Sequence, residues 1–211
     1  MKILFWIFLF SLLTGCVSQP VKKDMSAFIA SAPRSILVVP IVNKSLDVEA
    51  PNYVLATLPM PLAEKGYYVF PVNTTKFVLE QEGYYEGDRI HNEPPAALAK
   101  LFDADAILYV TIHRWDAQYA VFSTTVTVEL EYRMVYKDGT DIWNEKQKIA
   151  YTPQNNSSGS ALGSLISAVI SAAVTRTAPD YMTLTQQANR EVFLLSPNAP
   201  PDGPYKTAKI N

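Results

Sequence analysis

The chain is poor in the side chains from which most catalytic sites are built, with one cysteine and two histidines in 211 residues. A lone Cys16 excludes an intrachain disulfide, a C-x-x-C redox pair and any zinc site made of several cysteines. His91 and His113 are the only imidazoles, and they do not stand at ligand spacing from one another. The stretch "GSALG" (159–163) places Ala161, not serine, at the centre of what would be a nucleophile elbow. A formal charge of −2 leaves no basic footprint for nucleic acid. No catalytic residues, metal site or cofactor are therefore expected. Long apolar runs are missing too: Ile3–Leu13 is eleven residues, against the ~20 that a membrane-crossing helix needs.

What is present fits a globular chain. Apolar residues make up 48% and charged residues 18%, a balance that buries a core. The short apolar run follows Lys2 and leads into Leu13-Thr14-Gly15-Cys16. A charged start, an apolar stretch of this length and small residues before a cleavage point make a secretory signal. The last four residues resemble the bacterial lipobox, in which the cysteine is acylated and becomes the new amino terminus. Several acyl chains anchor stably where one does not. Residue 17 is valine, not aspartate, which by resemblance to Gram-negative lipoproteins implies an outer-membrane protein facing the periplasm.

The chain then divides into a signal peptide (1–15), the lipidated Cys16 with a tether (16–34), an α/β domain (35–196) and a proline-rich extended tail (197–211). Within the domain, "SILVVPIV" (35–42) reads as a buried strand. "PNYVLATLPMPLAEKG" reads as two short helical pieces or one kinked helix, closed by Gly66. "YYVFPV" (67–72) is a second strand, "NTTKFVLEQEG" a Thr-capped helix, and "NEPPAALAKLF" a helix with a proline in its first turn. "ADAILYVTIHRW" (104–115) is a third strand, with His113 a satisfied strand-end histidine. Asp103 and Asp105 cap and turn the chain between helix and strand.

From Phe122 to Tyr136 apolar and polar residues alternate, a strand with one buried and one wet face. Asp138-Gly139 signals a hairpin. A two-residue turn pairing Lys137 with Thr140 sets Met134 against Trp143, Val128 against Ile149, Glu131 against Lys146 and Glu129 against Lys148. Residues 149–175 carry no charge. In them Gly163, Ser167 and Ser171 form a ladder of small groups at helical spacing, a candidate association helix or a buried one. "DYMTLTQQANREVFLL" is a last helix with Tyr181, Leu184, Ala188 and Leu195 on one stripe.

The densest polar and aromatic loop is "EGYYEGDRIHNEPP" (82–95). Its Tyr84, Tyr85, Asp88, Arg89, His91 and Asn92 are candidates for a partner or ligand site, since exposed aromatics and arginine favour interfaces.

The runs "LAEKGYYVFPV" and "EGYYEGDRIHNEPPAALAKLFDADAILYVTI", the Thr-rich strand with "DGTDIW" and the Gly-Pro-Tyr of the tail together resemble a family of Gram-negative outer-membrane lipoproteins of undefined function. Neisserial surface-antigen candidates belong to it. The resemblance spans roughly residues 35–205 and carries over one functional residue, Cys16. It implies an α/β fold similar to the amino-terminal domain of TolB: a single domain with a mixed sheet, a long antiparallel hairpin and flanking helices. It also implies gene neighbours like the curli secretion channel subunit. The function expected is a non-enzymatic accessory module of an envelope assembly or secretion complex, with that channel-like protein or a second copy as partner. The alternatives are a small-ligand or glycan-binding lipoprotein and a cell-wall hydrolase.

Overall fold

A computed structural model describes residues 23–120, 123–151 and 181–207. Cys16 and the Gly163, Ser167, Ser171 ladder lie outside them. A short helix α1 (Ser26–Ser31) precedes strand β1 (Ser35–Val38). Strand β2 (Val42–Asn43), helices α2 (Ala50–Thr57) and α3 (Pro59–Glu64) and strand β3 (Tyr68–Val69) follow. Helices α4 (Val72–Gln81), α5 (Gly87–His91) and α6 (Pro95–Phe102) lead to three long strands. These are β4 (Ala106–Ala120), β5 (Ser123–Tyr136) and β6 (Asp141–Tyr151). Helix α7 (Tyr181–Arg190) closes the domain and runs into a π-helical turn, Glu191–Leu195.

The sheet has the order β3-β1-β4-β5-β6, with β2 beside β4. The three short strands run parallel to their neighbours and the three long ones antiparallel. The fold is therefore α/β with a mixed six-stranded sheet. One face buries Ile36, Val38, Leu108, Leu130 and Tyr132 under Val54, Leu58, Leu62, Leu184 and Phe193. The other buries Leu37, Ile107, Tyr109 and Val135 under Leu79, Ile90 and Leu98. Alternate residues of β1 thus point into different cores, which is why its sequence is apolar without a break.

Several local expectations are corrected. The stretch 35–42 is two strands, because Pro40 has no N–H for the ladder. Val38 pairs with Leu108 while Val42 pairs with Thr111, so three residues bulge opposite two. The second strand shrinks to Tyr68–Val69, and α4 starts after Pro71 without a side-chain cap, where a Thr cap was expected. Two helical pieces do form at 50–64, and Gly66 takes φ +91° behind them.

The hairpin keeps its expected register by a different route. Val128 faces Ile149, Glu129 faces Lys148, Glu131 faces Lys146 and Met134 faces Trp143. The turn, however, closes between Tyr136 and Thr140 over three residues, with Gly139 at φ +94°. That shortens the count by one. A bulge at Ile142 between Val135 and Met134 restores it, and Ile142 and Trp143 are both buried. The last helix also departs from its stripe: the π-helical turn rotates Val192 and Phe193 inward and leaves Leu195 exposed.

Asp103 takes the left-handed conformation behind α6 and Asp105 turns the chain into β4. Burial raises the Asp105 carboxyl, but the hydrogen bond from Lys137 and the Arg34 backbone N–H outweigh it and hold it below its ordinary range. The proline-rich segment runs back across the domain. Gly203 N–H donates to Lys65 O at 2.8 Å and Tyr205 N–H to Gly66 O at 2.9 Å, and Asp202 pairs with Lys65 at 2.8 Å.

Candidate functional site

The 82–95 segment is not all loop, since Gly87–His91 coils into α5. Ile90 at its centre is fully buried in the second core. A Cβ on Gly87 would lie 2.6 Å from Ile41 O, so only glycine lets this turn approach the chain entering β2. His91 completes the attachment. Its Nε2 stands 3.0 Å from Pro40 O, and a carbonyl only accepts, so Nε2 carries the proton. The ring meets Tyr109 edge-on at 5.0 Å.

The six candidates therefore separate. His91 is half-buried and structural in its contacts. Tyr84 packs against the second core, and the Arg89 guanidinium lies over its ring at 5.4 Å. Asn92 Nδ2 donates to Asp88 O at 2.8 Å. Tyr85 is 74% exposed, and Asp88, Arg89 and Asn92 are exposed too. Among the described residues no three His, Cys, Asp or Glu side chains converge on a metal-sized site.

Burial lowers the pKa of His91 below its ordinary value, the Pro40 hydrogen bond and Asp88 opposing and Arg133 assisting. The folded state thus prefers the neutral ring. Its contribution to stability is present above the unfolded pKa of ~6.5 and is lost as pH falls through the folded value. Urea unfolding between pH 7.5 and pH 5 should show stability falling in acid, and His91→Gln should flatten that slope. A variant with an unchanged slope would place the acid sensitivity elsewhere.

His113 lies on the wet face of β4, its Nε2 2.6 Å from Glu131 Oε2. That hydrogen bond, with Lys146 at 3.3 Å, holds the Glu131 carboxyl below its ordinary range.

Directly after β2 in the chain stands a feature that periodicity did not reveal. The loop 44–49 is held by its own polar side chains. Asn43 Oδ1 accepts from Ser45 N–H at 3.0 Å, and Asn43 Nδ2 donates to Asp47 O at 2.8 Å. Asp47 Oδ1 accepts from Glu49 N–H at 2.9 Å. The apolar residues between them point outward: Leu46 is fully exposed and Val48 80% exposed. In the first core, Trp115 of β4 is stacked between Tyr53 at 5.9 Å and Tyr181 at 4.8 Å. The alternation Asn43-Lys-Ser-Leu-Asp-Val-Glu49 was the available signal, since Asn, Ser and Asp fold loops through such bonds.

Residues 23–203 match the family model described as "Putative lipoprotein GNA1162-like". The chain belongs to the GNA1162-like family. A Neisseria meningitidis serogroup B member, named "Putative lipoprotein NMB1124/NMB1162", is 37% identical over 160 residues, 75% of this chain and 74% of its own. The crystal structure of lipoprotein GNA1162 from Neisseria meningitidis aligns with a TM-score of 0.57 and 35% identity, covering 68% of this chain and all of that one. The PelC dodecamer from Paraburkholderia phytofirmans aligns at 16% identity and a TM-score of 0.43, over 74% of this chain and 97% of that one. The GNA1162-like family is a lipoprotein family, so this member is counted among proteins held in the cell envelope by lipid.

Proposed function

We propose that the chain is an outer-membrane lipoprotein, acylated on Cys16 and facing the periplasm, whose domain is a non-enzymatic interaction module of an envelope assembly or secretion complex. The observation that carries this reading is the loop 44–49. Exposed apolar side chains are ordinary when scattered singly. Here Leu46 and Val48 are two residues apart on a loop fixed by side-chain hydrogen bonds. A loop already ordered loses little conformational entropy on docking, so its apolar area counts fully toward binding. Tyr85 and Arg89, exposed in the 82–95 segment, add the residue types that anchor interfaces. Gly163, Ser167 and Ser171 remain the second contact in this proposal.

A photo-crosslinking residue at position 46 of the acylated protein tests it in intact envelopes. A discrete adduct with one envelope protein or a second copy is expected, with none from position 77, an exposed site on α4. Cys16→Ala should lower the yield by removing the anchor. Equal adducts from both positions, or none from position 46, would remove the loop from the interface.

A further inference from the structure

We propose that the groove between α1 and the C-terminal tail seats an anionic phospholipid of the anchoring membrane, an acyl chain in the groove and its headgroup at Arg34. The proposal rests on the acylation of Cys16 proposed above. Phe28, Ile29 and Ala32 form one wall, and Tyr67, Pro201 and Pro204 the other, around about 480 Å³. That volume lies within the range of small-molecule sites, which are mostly apolar with few polar groups. The Tyr67 hydroxyl is spent on Pro201 O, and the Asp202 carboxylate, which also lines the groove, is paired with Lys65 at 2.8 Å, so the rest of the walls present mostly hydrocarbon. Ile29 stands at the mouth, 66% exposed.

Charge and position favour lipid over other occupants. Around the groove, Arg34 and Lys137 on Asp105 and Lys65 and Lys206 on Asp202 leave the cations in excess. The neighbouring Glu64–Arg190 pair leaves that excess unchanged, and Asp24 sits before the opposite end of α1. A positive rim around an apolar groove suits a chain with a negative head. Ser26, at the start of α1, stands ten positions beyond Cys16, at most ~35 Å when fully extended. A link this short raises the effective concentration to about the millimolar range. A groove of merely millimolar affinity is then substantially occupied.

Because Cys16 is consumed by acylation, Ile29→Cys creates a unique thiol for a polarity-sensitive dye. The acylated protein is reconstituted in vesicles of phosphatidylethanolamine and phosphatidylglycerol carrying chain-spin-labelled lipid. The dye at position 29 should shift to the blue and be quenched, and one on Leu46→Cys should not. Arg34→Ala should lower the ratio of quenched to unquenched protein about fivefold, the worth of one basic side chain at an anionic surface. Arg34→Lys should restore it, with thermal unfolding checking each fold. A water-like dye at position 29 in a protein that floats with the vesicles overturns the docking and leaves the anchor standing. A shift without vesicles that grows with protein concentration assigns the face to a second copy and overturns it also. Equal quenching in pure phosphatidylcholine overturns the headgroup contact. A protein without acyl mass overturns anchor and docking together.

Discussion

Replacing Asn189 by alanine should cost about 3 kcal/mol of folding stability, the sum of an orphaned phenol at ~1–3 and a small cavity. Asn189 is fully buried and bridges two layers. Its Oδ1 accepts from Tyr132 Oη at 2.7 Å, and its Nδ2 donates to Thr57 Oγ1 at 2.8 Å. The Thr57 hydroxyl in turn donates to the Tyr53 or Val54 carbonyl of its own helix. One amide thus ties α7 to the centre of β5 and to α2. Tyr132 sits edge-on to Phe193 at 5.4 Å, and burial pushes its hydroxyl far above the ordinary tyrosine range. Without Asn189 that hydroxyl has neither water nor partner. For a domain of this size 3 kcal/mol lowers the thermal midpoint by about 6–12 °C. Tyr132→Phe alone should cost ~1–3 kcal/mol, because it strands the Asn189 carbonyl. The double variant Tyr132→Phe with Asn189→Ala should lose less than the two single changes combined, since neither a stranded phenol nor a stranded amide carbonyl remains. Urea midpoints at constant slope measure all three, and strict additivity would show that the bridge carries no coupling.

Gly66→Ala should detach the C-terminal tail, at a cost of ~3 kcal/mol or more in stability. Two effects combine. Gly66 has φ +91°, which side-chain-bearing residues avoid. Its Cβ would also lie 2.3 Å from the backbone nitrogen of Lys206, and backbone cannot rotate away as a side chain can. Gly203 answers from the other strand of the contact, where a Cβ would fall 2.4 Å from Gly66 O. The two chains are closer here than any pair of larger residues allows. Gly139 separates the two causes: its φ is +94°, but nothing lies within 4 Å of its Cβ. Gly139→Ala should therefore cost only the conformational part, ~1 kcal/mol. Hydrogen exchange reads the difference by site. In Gly66→Ala the amides of Gly203 and Tyr205 should lose protection while those of β4 and β5 keep theirs. Retained protection at Gly203 would mean that the backbone absorbs the methyl.

The central part of the fold was legible because its physics is local. Alternation over 122–136 marks a half-buried strand, and opposite charges at Glu129–Lys148 and Glu131–Lys146 fix its pairing. The turn was read one residue short and the bulge at Ile142 was missed. The two errors cancelled because register is selected by the buried face, not by the turn alone. Contacts distant in sequence left no such trace. Prolines announce an extended tail, yet nothing near residue 203 points to Lys65 and Gly66. In the same way the polar composition of 82–95 hid Ile90, whose place in the second core depends on Leu79 and Leu98. Of the six candidates there, His91 turned inward for this reason. The loop 44–49 escaped because hydrophobic periodicity looks for buried stripes, and Leu46 and Val48 form none.

The lysines of β6 bear on a hazard separate from binding. Among the described residues β6 pairs with β5 alone, so its outer side is a sheet edge, a template on which a foreign strand could grow. Lys146 and Lys148 stand along that edge, half to largely exposed. At its start the Lys23 ammonium occupies the Asn144 carbonyl. Another strand pairing there would have to bury the two lysines and displace the third. The same charges that set the hairpin register therefore also guard the domain against edge-to-edge aggregation.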